Sequence, residues 1–136
     1  MRRIGLAAWL LACPLLQPGH AAADPAAEQL FAANCAACHQ RNGRGIAKAF
    51  PALAGDALVV GAPEGIVRTL LNGRGGMPSF RAKLDDGQLA AIASYVRSTW
   101  GNQADAIPPE AFAGARAAQA GRPAENPAED RDLQAH

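Results

Sequence analysis

An all-α fold is what this chain of 136 residues predicts. Three observations carry the prediction. Apolar residues recur at helical spacing in three stretches, glycine and proline crowd the segments between them, and no stretch shows the two-residue alternation of a strand. The first helix runs from about Pro25 into the segment around Cys35, with Leu30 and Phe31 on its buried face. A long loop follows from Gln40 to Ala62, broken by Gly43, Gly45, Pro51, Gly55 and Gly61. The second helix begins near Pro63 with Glu64 in its first turn. It carries Ile66, Val67, Leu70 and Leu71 and stops at Asn72-Gly73. A second loop, Gly73 to Lys83, contains Gly75-Gly76-Met77-Pro78. The third helix starts at Asp85 or Asp86, good N-cap residues, places Leu89, Ile92, Val96 and Trp100 on one face, and ends at Gly101.

The two ends read differently from this middle. Met1-Arg2-Arg3, the largely apolar Ile4 to Leu16 and Ala21-Ala22-Ala23 make the pattern of a secretory signal peptide over residues 1–23. The apolar run is too short for a comfortable membrane span. Leu10-Leu11-Ala12-Cys13 faintly resembles a lipoprotein cleavage box, but the segment before it is short and Pro14 follows. Residues 24–102 form the expected domain, and residues 103–136 an Ala/Pro-rich acidic tail. Such a composition buries too little surface to offset its ordering entropy, so most of the tail is expected to be disordered. Its one structured piece is a short helix over 108–116, with Ile107 and Phe112 packing back on the domain. The formal charge of the whole chain is +1, a balance that gives nucleic-acid binding no support.

Cys35-Ala36-Ala37-Cys38-His39 carries the chemistry. C-x-x-C-H is the attachment sequence of a c-type haem. Two thiols three residues apart can add to the two vinyl groups of one porphyrin, and the adjoining histidine then lies under the iron. The competing readings fit less well. A structural zinc site needs about four N or S ligands, and these residues offer three. A thioredoxin-like dithiol belongs in a βαβ context that the helical pattern does not provide. A buried haem also meets a need of the fold, since so small a domain has little core of its own. Haem attachment of this kind follows export, so motif and leader both point to the periplasm.

Few residues remain for the second face of the iron. After the leader, the chain holds two histidines, His39 and His136, and one methionine, Met77. The candidates are Met77, His136, Lys48, Lys83 or no ligand. Met77 is favoured by its place between small residues in an interhelical loop, where the backbone can approach a flat group closely.

With these residues in view the chain resembles the class I c-type cytochromes. It resembles in particular the small bacterial monohaem proteins and the cytochrome domains attached to periplasmic dehydrogenases. The marks are Leu30-Phe31 ahead of Cys35 to His39, then Asn42-Gly43-Arg44-Gly45, Phe50-Pro51-Ala52-Leu53, Gly76-Met77-Pro78 and the run from Tyr95 to Asn102. The resemblance implies the cytochrome c fold, three main helices and long loops around one covalent haem c. It implies Cys35 and Cys38 as attachment sites and His39 and Met77 as axial ligands. It also implies that the Pro51 carbonyl accepts from the imidazole, that Leu53 walls the pocket, and that Phe31 and Tyr95 meet with Ala27 where the first and last helices cross.

His/Met coordination raises the reduction potential and leaves no open position on the iron, which predicts electron transfer and not catalysis. The alternative is a haem enzyme or gas sensor with a displaceable sixth ligand. Redox partner proteins are expected, a periplasmic dehydrogenase or a terminal oxidase among them. Arg44, Lys48, Arg74, Arg81 and Lys83 lie in the loops expected to frame the haem edge, where they would steer docking to an acidic patch, pair with the haem propionates, or stand as ordinary solvated charges.

Overall fold

The computed structural model describes residues 24–121; the expected leader and the end of the tail lie outside them. Six helices follow in order: α1 Pro25–Asn34, α2 Ala36–His39, α3 Ala57–Val60, α4 Pro63–Asn72, α5 Asp86–Ser98 and α6 Pro109–Ala120. Among the described residues the only β-type pairings are two isolated bridges, Ile46 with Phe50 and Arg74 with Met77. No helix among them is long and apolar enough to cross a membrane.

Three of the helices start at an aspartate cap. The Asp24 carboxylate accepts from Ala26 N–H at 2.9 Å, and Pro25 opens α1 where its missing N–H costs nothing. Asp56 caps α3 by accepting from Leu58 and Val59. Asp85 and Gln88 form a reciprocal capping box at α5. At the other end of α4, Gly73 turns the chain out at φ +77°.

Packing is organised by α5. It crosses α1, where Phe31 meets Tyr95 at 5.5 Å between ring centroids and Ala27 is buried. Trp100 completes this cluster, 5.1 Å from Phe31 and 5.6 Å from Tyr95. The expectation that Trp100 continues the helical face is corrected here. α5 ends at Ser98, and Trp100 adopts φ +56°, folding back so that its indole N–H donates to the Arg41 carbonyl at 3.1 Å.

Two buried polar residues tie α5 to the long loop. Asn102 donates to the Leu53 and Val96 carbonyls and accepts from Gly55 N–H at 2.7 Å. Arg97, only 3% exposed, donates to the carbonyls of Val59, Gly61 and Asp105.

The three expected helices are present as α1, α4 and α5, and the chain adds a fourth of similar length. The short helix expected over 108–116 runs instead from Pro109 to Ala120. It packs across both α4 and α5. Ile107 and Phe112 are fully enclosed, at 2% and 0% exposure. The packed unit therefore passes beyond Asn102, because two large apolar side chains supply the burial that an alanine-rich segment lacks by itself. The disorder expected for 122–136 concerns residues outside those described.

Candidate functional site

Cys35 closes α1 and opens α2. Its backbone leaves helical geometry at φ −124°, yet its carbonyl accepts from Cys38 at 3.2 Å and from His39 at 2.9 Å. A single turn thus carries two thiols and an imidazole. Both cysteines are half-buried and outside any disulfide. Burial pushes the Cys35 thiol up to about 11; the nearby Lys83 ammonium offsets part of this and Cys38 adds to it.

His39 is 8% exposed, and its Nδ1 lies 2.9 Å from the Pro51 carbonyl oxygen. A carbonyl can only accept, so Nδ1 carries a proton, and in the neutral ring this leaves the lone pair on Nε2. The loop is folded to bring Pro51 there. Gly45 N–H donates to the His39 carbonyl at 3.0 Å, while Leu53 and Ala54 donate to the Gly43 carbonyl at 2.7 and 3.1 Å. Gly45, at φ +65°, lies close against the Phe50–Pro51 backbone. A Cβ there would stand 2.4 Å from the Phe50 carbonyl oxygen and 2.5 Å from that of Pro51.

Met77 sits in the loop between α4 and α5. It exchanges backbone hydrogen bonds with Arg74, at 2.9 and 3.2 Å. Two residues on, the Ser79 hydroxyl donates to the Leu71 carbonyl, and Phe80 N–H donates to Leu70 at 3.0 Å. The loop is thereby pinned to the last turn of α4. Its far end brings Lys83 close enough to Cys35 for the thiol to feel the charge.

The structure places His39 and Pro51 in direct contact and sets Cys35, Leu53 and Met77, all partly buried, against one apolar core. Lys48 is exposed on the loop, and His136 lies outside the described residues. Sequence reasoning did not single out Arg97, Asn102 or Arg116 for a role. A charged residue within the apolar run of α5 was the available signal for Arg97.

This donor set suits an iron porphyrin joined through both thiols. It offers two sulfurs on one turn, an imidazole nitrogen with its lone pair available, and a thioether on a separate loop. Two large apolar side chains, Ile46 and Phe50, are exposed on the segment that closes over His39. No group of three or more His, Cys, Asp or Glu placed to hold a metal ion occurs among the described residues.

Comparison with known proteins agrees with this chemistry. The family described as "Cytochrome C oxidase, cbb3-type, subunit III" matches residues 22–96. The cytochrome c subunit of the quinone alcohol dehydrogenase of Gluconacetobacter polyoxogenes is 31% identical over 102 residues, covering 66% of this chain and 22% of that one. Cytochrome c-552 of Thermus thermophilus is 36% identical over 104 residues, covering 65% and 69%. Cytochrome c6 of Leptolyngbya boryana is 43% identical over 77 residues, covering 54% and 91%. The chain thus spans about a fifth of the length of the dehydrogenase subunit it matches.

Proposed function

This chain belongs to the class I c-type cytochromes, and from that premise we propose that His39 and Met77 would be the two protein ligands to the iron of its haem. Membership of the family makes it an electron carrier with one covalently bound haem c. Cys35 and Cys38 are the attachment sulfurs in this reading, Pro51 orients His39, and Leu53 walls the haem.

The observation that carries the reading is the 2.9 Å contact of His39 with Pro51. Donation from Nδ1 to a backbone carbonyl fixes the ring and strengthens Nε2 as a ligand. The haem, when bound, supplies a one-electron couple whose potential is raised by a Met/His ligand pair. The protein's part is to hold both ligands on anchored backbone: His39 under the folded loop, Met77 on a loop pinned to α4. With both ligands held in this way, a bound haem would need little rearrangement on gaining or losing an electron.

Residues 1–23 are assigned as an export signal and the periplasm as the site of work. The electron partners are assigned to the class of periplasmic dehydrogenases and terminal oxidases, a choice supported by the names of the matching family and of the dehydrogenase subunit.

Absorption spectra of the exported protein, oxidised and reduced, with and without carbon monoxide, test the ligand pair. The expected result is a low-spin haem with the ferric methionine-ligation band and no response to carbon monoxide. A high-spin or carbon-monoxide-reactive spectrum removes Met77 from the iron.

A further inference from the structure

α6 and the arginine it carries are not explained by electron transfer. Arg116 reaches out of α6 to the opposite end of the Met77 loop. Its Nε–H donates to the Asp86 carboxylate at 2.6 Å, Nη1 to the Arg81 carbonyl at 2.6 Å, and Nη2 to the Leu84 carbonyl at 2.8 Å. These acceptors lie 30 to 35 residues away in the chain. All three belong to the last turn of the loop and the first residue of α5.

The loop's other end is fastened by different means, through Ser79 and Phe80 to the carbonyls of α4. α6 itself lies across both α4 and α5, the two helices between which the loop is strung. Its buried Phe112 fixes it there. A planar guanidinium with donors on three nitrogens can hold two carbonyls and a carboxylate at once, which an ammonium on a flexible stem cannot do with the same rigidity. Without it the carbonyls of Arg81 and Leu84 would be left to water, and the turn would be held only by the Lys83 and Leu84 amides on the Phe80 carbonyl and by the burial of Phe80 and Leu84.

We infer that Arg116 is a positioning residue for Met77: it clasps the 81–84 turn and so keeps the thioether from leaving the iron. This rests on the His39–Met77 reading above. It assigns a function to the segment beyond Asn102, which sets how readily an outside ligand displaces Met77.

The test uses the haem-loaded full chain. Imidazole affinity of the ferric form and carbon monoxide association with the ferrous form are measured for the wild type, Arg116→Ala, Arg116→Lys and Met77→Ala. Phe31→Leu, at the distant α1–α5 crossing, serves as a variant destabilised elsewhere. Loss of the clasp should raise the population with Met77 displaced, and apparent affinity scales with that population, so Arg116→Ala should bind imidazole roughly tenfold more tightly than the wild type. Arg116→Lys should fall between them, and Phe31→Leu should match the wild type. Hydrogen exchange at the Lys83 and Leu84 amides should quicken in Arg116→Ala alone. If Arg116→Ala binds imidazole no better than Phe31→Leu, the clasp is only structural and the inference fails by itself. If the wild type already binds as tightly as Met77→Ala, the ligand reading fails and takes the inference with it.

Discussion

Gly45 shows how much of the site depends on the absence of one side chain. Its backbone stands so near the Pro51 and Phe50 carbonyls that a methyl group would come within 2.5 Å of both. Its φ of +65° adds strain for any L residue. Gly45→Ala should therefore cost about 1–3 kcal/mol of stability, read by denaturant unfolding of the haem-loaded protein. It should also shift the environment of the His39 ring, because the displaced carbonyl is the one His39 donates to. An unchanged unfolding midpoint would mean that the loop relaxes away from Gly45 without strain. Asn102 works the opposite way, by presence: one amide satisfies two carbonyls and an N–H in the loop and in α5. Both residues hold the long loop over His39, one by leaving room and one by filling it with hydrogen bonds.

At the scale of elements, α6 decides where the domain ends. Phe112 has no exposed surface and lies on the same helix as Arg116, one turn before it. Phe112→Ala should destabilise the protein by about 3–5 kcal/mol, the usual cost of emptying a buried aromatic site. If the segment beyond Asn102 were only an appendage, thermal unfolding of that variant would coincide with the wild type. Gly114 offers a test of the opposite sign. It lies inside α6, and a Cβ there meets nothing within 4 Å. Gly114→Ala should stabilise the helix by about 0.5–1 kcal/mol, the helix-propensity difference. A lower melting temperature would show that this position touches something the helix geometry does not reveal.

At the scale of the whole molecule, the helices are few and the loops long. The segment from Gln40 to Asp56 and the loop from Gly73 to Asp85 hold no helix and are fastened at scattered points. Ile46 and Phe50 are exposed on the first of them. On the proposed attachment, a haem joined to Cys35 and Cys38 would add apolar surface for these loops to pack on. Cys35→Ala with Cys38→Ala should accordingly yield a poorly cooperative protein of reduced helicity by far-UV circular dichroism and thermal melting. Native-like helicity with a sharp transition would show that the chain folds on its own core.

The local features were legible in the sequence. Apolar spacing marked α1, α4 and α5, Asp85 and Pro63 marked helix starts, and the spacing of Cys35, Cys38 and His39 pointed to a c-type haem. Those signals lie within one or two helical turns, where periodicity and capping act. The four-residue α3 escaped notice because a single turn is too short to display a period, although Asp56 ahead of Ala57-Leu58-Val59-Val60 was a capping signal. The contact of His39 with Pro51 was expected only through family resemblance, since nothing in residue spacing sets a backbone carbonyl twelve positions away beside a ring. The return of Trp100 onto Phe31, the carbonyls gathered by Arg97 and the clasp of Arg116 were decided by the tertiary structure alone. Each joins segments distant in the chain through groups that every residue carries, so no pattern of side-chain types along the sequence could mark which carbonyl an arginine would find.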